Sequence, residues 1–332
     1  MVKSGHIKVL DGWRGISILL VLAAHLLPLG PKSWELNFAT GVLGMVIFFI
    51  LSGFLITSIL LTNISVPEFL TRRFFRVIPL AWLYFTVVLL FWSASPRSWW
   101  SHFFFYANLP PEDFIPMTEH MWSLCVEVQF YIAIAIWYKL TGSRGLLLLP
   151  GVALSFTALR TWNSVDAVIA TYYRIDEILA GCILALIWHG QIGGGILEKI
   201  KKIPSWLVLI LLIAACLHIG KLYLFRPYFA ALLVAITMLN PESKFSRILS
   251  IRPLFFAASI SYALYVIHPM LAHSWLGSGD LLEKYMKRPL LFIVLIAVAY
   301  TSTHFYERKW ISIGKKLSQR IRVDAQYFRK SQ

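Results

Sequence analysis

The sequence predicts an all-α, polytopic integral membrane helix bundle of about ten transmembrane helices with both termini cytoplasmic. Three observations predict it: a composition too apolar for a soluble globule, apolar runs of spanning length from end to end, and basic residues that collect in alternate connections. The hydrophobic fraction of the 332 residues is 58% and the charged fraction 14%, against about 45–50% and about 25% in soluble domains. The net charge of +15 does not read as a nucleic-acid footprint, because the surplus sits between apolar segments and not on one folded surface. Cys125, Cys182 and Cys216 each lie inside an apolar run, odd in number and without CxxC spacing, so neither disulfides nor a zinc site is expected.

The first apolar run, 15–29, follows Lys3 and Lys8, and no small-x-small cleavage site comes after it. It is therefore expected to be an uncleaved first helix and not a signal peptide. Further runs centre on 39–61, 77–93, 120–138, 145–158, 167–188, 205–219, 222–239, 254–275 and 289–306. A span needs roughly 20 residues to cross a hydrocarbon core of about 30 Å. By that measure 145–158 is the weakest, followed by the closely spaced pair 205–219 and 222–239.

With the amino terminus inside, cytoplasmic segments hold 21 of the 31 basic residues: Lys3, Lys8, Arg72, Arg73, Arg76, Lys139, Arg144, Lys199, Lys201, Lys202, Lys244, Arg247, Arg252 and eight after Glu307. Outside loops hold 8 (Lys32, Arg97, Arg160, Lys221, Arg226, Lys284, Lys287 and Arg288), and Arg14 and Arg174 fall within spans. That bias fixes the expected orientation. The largest outside segment, 93–118, carries Trp99, Trp100, Phe103, Phe104, Phe105 and Tyr106, which suit an interfacial belt or the cover of an acceptor site. Residues 1–310 read as one membrane domain and 311–332 as a basic cytoplasmic tail. Its alternation of Lys315, Lys316, Leu317, Arg320, Ile321 and Arg322 fits either a helix along anionic lipid or a solvated one.

Ionisable groups inside a span are costly, so each is a functional candidate weighed against simple pairing or snorkelling. Arg14 and His25 are eleven residues apart, about three turns with roughly 20° left over, on one face and about 16 Å apart along the axis. Asp11 stands three residues before Arg14, within pairing distance on a helix. A histidine here suits proton transfer from an acceptor hydroxyl; the alternative is a hydrogen-bonded structural residue, and the aligned arginine favours the first.

Arg72, Arg73 and Arg76 offer guanidinium forks for phosphates, and equally satisfy the positive-inside rule. Glu127 enters an apolar segment, where it either orients a histidine, binds a polar substrate, or snorkels to the interface. Arg174, Asp176 and Glu177 open the sixth span, and a self-neutralising pair is favoured over direct catalysis. The nine histidines show no HExxH or comparable ligand spacing, so no metal is expected.

Taken in order, five strings resemble the acyltransferase 3 family of membrane O-acyltransferases, which includes bacterial O-antigen and exopolysaccharide acetyltransferases. They are Leu10-Asp11-Gly12-Trp13-Arg14-Gly15 leading to His25; 44–55 from Gly44 to Leu55; Arg73-Phe74-Phe75-Arg76-Val77-Ile78-Pro79; Trp122-Ser123-Leu124 through Tyr131; and Ser261-Tyr262-Ala263-Leu264-Tyr265-Val266-Ile267-His268-Pro269. The likeness covers nearly the whole chain. It implies transfer of an acyl group, usually acetyl, from cytoplasmic acyl-CoA (acetyl-CoA) to a hydroxyl of a sugar or other acceptor, in a multi-pass protein of the bacterial inner membrane. By matching position, His25 is the expected catalytic histidine, Arg14 its companion, and Arg73 and Arg76, with Arg14, the donor-binding arginines. Glu127 joins the catalytic set, and Asp11, Arg174, Tyr262 and His268 are substrate-binding candidates.

The chain departs from the family pattern twice: Glu127 is followed by Val128 where members often carry a second acid, and Glu307-Arg308-Lys309-Trp310 lacks the usual proline. The esterase-like domain that some members carry after the helices is not expected. The rival from another class is a transporter or flippase of a lipid-linked or anionic solute, though no paired halves with matching broken helices are visible. A second enzyme rival is the unrelated membrane-bound acyltransferase family, for which His268 would be the base.

Overall fold

The computed structural model describes residues 7–166 and 168–330, with side chains up to Val323 in the last helix. The expectations that fall on Lys3, on the start of the sixth run at Ala167 and on the side chains of 324–332 lie outside the described residues. Among the described residues every regular element is helical. The principal helices are α1 (Lys8–Leu26), α2 (Leu36–Leu60), α3 (Val66–Phe91), α4 (Pro96–Phe103), α5 (Trp122–Gly145), α6 (Leu149–Trp162), α7 (Ile175–Trp188) and α8 (Ile196–Lys201). They continue with α9 (Ser205–Cys216), α10 (Arg226–Leu239), α11 (Lys244–Leu249), α12 (Arg252–Ser259), α13 (Ser261–Ala272), α14 (Leu281–Met286), α15 (Arg288–Thr301) and α16 (Arg308–Lys330).

Each of the ten apolar runs falls on a helix. Six helical stretches are long and apolar enough to cross a membrane, seven if α12 and α13, bent by 70° at Ile260, make one span. The stretch Glu119–Trp162 enters that count once but holds two of the runs. Gly142, at φ 67°, kinks it near the end of α5, before α6 begins, a conformation open to glycine at little cost. The protein is thus a polytopic membrane helix bundle.

The chain forms two compact units. One comprises Met1–Ser58 and Leu146–Tyr265, the other Ile59–Gly145 and Val266–Gln332. In the first, Val46, Ile47, Ile50 and Phe54 of α2 pack in one core with Ala180 and Leu184 of α7, Leu212 of α9 and Leu233 and Val234 of α10. Helices α2 and α7 cross where each supplies a glycine: a Cβ on Gly53 would overlap the Ile178 carbonyl oxygen, and one on Gly181 the Ile50 carbonyl oxygen. In lipid, where apolar side chains gain little by meeting each other, such close backbone approach is what holds helices together.

In the second unit, α3 runs against α16. Phe75 stacks on Trp310 at 6.0 Å, the Tyr306 hydroxyl donates to the Pro79 carbonyl at 3.2 Å, and Arg72 Nε donates to Ser318 Oγ at 3.2 Å. A π-helical turn, Ser302–Glu307, joins α15 to α16, so the last span passes into the basic tail without a break. The connection 92–118 folds around His102, whose Nε2 pairs with Thr118 Oγ1 at 2.8 Å and whose Nδ1 meets the Ser98 carbonyl at 2.7 Å. Trp100 and Phe104 there stack at 5.5 Å on the exposed side, while Phe105 is buried.

Candidate functional site

Helix α1 is continuous from Lys8 to Leu26, so the spacing of Arg14 and His25 is realised as true helical geometry. The flanking residues explain its rotation. A Cβ on Gly12 would overlap the Leu249 carbonyl oxygen, and one on Gly15 the Leu254 carbonyl oxygen, which seats α1 directly on the backbone of α11 and α12. On another side Trp13 Nε1 donates to Thr237 Oγ1 of α10 at 2.9 Å, and Ser17 Oγ donates to the Gly44 carbonyl of α2 at 2.8 Å.

The face left between these packed sides is the one that carries Asp11, Arg14 and His25. Asp11 and Arg14 are half-buried, and His25, in the last turn, is exposed. That turn is held by Asn37, whose Nδ2 donates to the Ala24 and Leu27 carbonyls, both at 2.7 Å, and whose Oδ1 accepts from the Leu29 amide at 3.3 Å. One side chain thereby satisfies carbonyls that a helix end leaves without intrahelical partners.

A second constellation lies in the other unit, between α3 and α5. The Tyr131 hydroxyl donates to Glu127 Oε1 at 2.5 Å, and the Arg73 guanidinium lies 5.8 Å from the ring centres of both Tyr131 and Phe69. Glu127 is 6% exposed. It is a buried, hydrogen-bonded acid facing Arg73, which removes the reading of a snorkelling interfacial acid. Arg76 is exposed and acts electrostatically on both Arg73 and the buried Glu307.

His268 is buried on α13, its ring 5.1 Å from that of the buried His120. Tyr262, half-buried, begins the same helix in the first unit.

Arg174 joins a buried charge network in the first unit and not an open face. Arg174 Nη1 bonds Glu177 Oε1 at 3.1 Å, and Arg226 Nη2 reaches the same oxygen at 3.2 Å while its Nη1 holds Asp166 at 3.0 Å. Arg160 pairs with Asp176 at 2.8 Å and donates to the Leu224 carbonyl at 2.8 Å. His218 meets Asp166 from another side. Arg160 and Arg226, expected in outside loops, are fully buried, and Arg288 is buried too. Arg160 and Arg226 are drawn inward by their carboxylate partners, whereas Arg288 lies 5.7 Å from the Tyr285 ring centre.

A family described as an acyltransferase domain matches residues 7–304. The chain belongs to this acyltransferase family. Its relatives include the peptidoglycan O-acetyltransferase OatA of Listeria monocytogenes, 27% identical over 316 residues, covering 79% of this chain and 49% of that protein. The O-acetyltransferase OatA of Staphylococcus aureus is also 27% identical, over 320 residues, covering 81% of this chain and 51% of that protein. The chain thus spans about half the length of the curated relatives it matches. No solved structure matches it.

Within this member of the family, the sequence points to Arg14, His25, Arg73 and Glu127 and passes over Asn37, Tyr131, Thr237 and His120. Tyr131 carried a usable signal, since it stands four residues after Glu127 and so shares its helical face. Asn37 carried none: its role exists only once the α1–α2 connection has folded back.

Proposed function

We propose that this chain is a membrane O-acetyltransferase that moves an acetyl group from cytoplasmic acetyl-CoA to a hydroxyl of a cell-envelope carbohydrate. The observation that carries the proposal is the α1 face bearing Arg14 and His25, held in orientation by Gly12, Gly15, Trp13 and Asn37, in a chain of the acyltransferase family. The relatives named for peptidoglycan O-acetylation support a glycan acceptor, and the apolar helices support a multi-pass membrane location.

The donor is an anion, and the chain's cations fit it. Arg73 Nε is buried without a hydrogen-bond partner, which suits a phosphate oxygen, and Arg76 is exposed beside it; a guanidinium fork grips such oxygens in pairs. In the proposed reaction His25 takes the proton of the acceptor hydroxyl as the oxygen attacks the thioester carbonyl. The carbon–sulfur bond breaks, and the coenzyme A thiolate leaves and is protonated. Arg14, three turns away on the same face of α1, is the cation that partners His25 in this reading. Glu127, with its charge balanced by Arg73 and its geometry fixed by Tyr131, keeps the donor arginine in place.

The test is release of coenzyme A thiol from acetyl-CoA by purified protein in lipid, for wild type and His25→Ala, with a panel of glycan acceptors. Acceptor-dependent release that disappears in His25→Ala is the expected result. No release with any acceptor, and no labelled acetyl on the protein, overturns the reading.

A further inference from the structure

We propose that three cations at heptad spacing on α16, Arg308, Lys315 and Arg322, complete a cleft with Arg73 and Arg76 of α3 and bind the nucleotide phosphates of coenzyme A. The inference rests on the donor reading above and extends it to a helix that the sequence had marked only as a basic tail.

The contacts between α3 and α16 fix the geometry. Arg72 bonds Ser318, Phe75 meets Trp310 and Gly314, and Tyr306 reaches Pro79. Rising numbers on one helix meet falling numbers on the other, so the two are antiparallel. At 100° per residue, Phe75 and Trp310 lie on one side of the contact line and Arg72 and Ser318 on the other. Continuing round from that second side, α3 presents Arg76 and then Arg73. On the same side α16 presents Arg322, Lys315 and Arg308, within about 40° of one another. All three are exposed. The wall beyond Arg73 is α5, with Tyr131 and Glu127.

Length puts this cleft beyond the hydrocarbon. The continuous stretch Arg288–Val323 has 36 residues, about 54 Å at 1.5 Å per residue, against a core of about 30 Å. About 24 Å of helix must therefore stand clear, and the charged end is the one that can. Arg308 to Arg322 covers about 21 Å of that helix, room for a diphosphate and a separate phosphate on one ligand. Lys316 and Arg320 point to the opposite face and serve as controls.

The experiment measures affinity for coenzyme A and for 3′-dephospho-coenzyme A with purified full-length protein in phosphatidylcholine discs. Variants are Lys315→Gln/Arg322→Gln, the control Lys316→Gln/Arg320→Gln, and Arg73→Gln, each confirmed folded by its thermal transition. Wild type should bind coenzyme A at least about tenfold more tightly than the dephospho form, as expected for charge-assisted contacts. The Lys315/Arg322 variant should lose that preference, and the control should keep it.

Unchanged coenzyme A affinity in the Lys315/Arg322 variant, with weakened binding in Arg73→Gln, overturns the cleft and leaves the donor reading standing. Absence of coenzyme A binding by wild type overturns both. An effect of the Lys315/Arg322 change seen only as lost stability in discs containing phosphatidylglycerol assigns these cations to lipid headgroups and overturns the cleft.

Discussion

Asn37 shows how a helix end that carries a candidate base depends on a side chain from the next helix. Its side chain brackets the turn that carries His25 by bonding the carbonyls of Ala24 and Leu27. Asn37→Ala should cost about 1–3 kcal/mol of stability and lower acetyl transfer about tenfold through lost orientation, with coenzyme A affinity unchanged. Loss of affinity in step with rate would show that Asn37 acts on the donor instead. His25→Ala should lower acceptor-dependent transfer at least about a hundredfold, the usual reach of a positioned acid–base group. Arg14 and His25 were legible in the sequence because eleven residues is a helical repeat. Glu127 was legible because acids are rare in apolar runs. Asn37 was not, because asparagine in a connection has many bland uses and its partners are backbone atoms, which leave no pattern.

At the scale of the element, glycines decide which helices can touch. Gly12→Leu should prevent α1 from seating on α11 and α12 and abolish recovery of folded protein. Gly151→Ala in α6, where a Cβ would meet nothing within 4 Å, should be neutral or stabilise by up to about 1 kcal/mol; thermal unfolding in detergent separates the two. The connection 92–118 has a pH signature of its own. Burial pushes the His102 imidazole below its ordinary value of 6.5, against the opposing pull of the Ser98 carbonyl and Asp113. The native state thus favours neutral His102: its contribution to stability is complete above that value and is lost as pH falls below it. Unfolding of wild type should ease on acidification from pH 7 to 5, and His102→Gln should flatten that dependence. The helices themselves were readable as apolar runs, but the 70° bend at Ile260 was not, since Ser259-Ile260-Ser261 holds neither proline nor glycine.

For the whole molecule, the buried charges of the first unit are the feature least visible in sequence. Arg226 reaches Asp166 and Glu177 across 60 and 49 residues, and spacing along the chain gives no hint of such pairings. Arg226→Met should destabilise by about 3 kcal/mol, because it removes the cation shared by buried Glu177 and part-buried Asp166 and leaves each with one partner, Arg174 and His218, while an exposed change such as Arg247→Gln should be near neutral.

The three cysteines, each wrapped in the packed interior, give the molecule a practical property: it is chemically silent to thiol reagents, since a buried thiol is inert. Wild type in sealed vesicles should take up no membrane-impermeant maleimide. A single reporter cysteine at Arg97 or at Lys316 would then light up from one side of the bilayer only, and the two should answer from opposite sides.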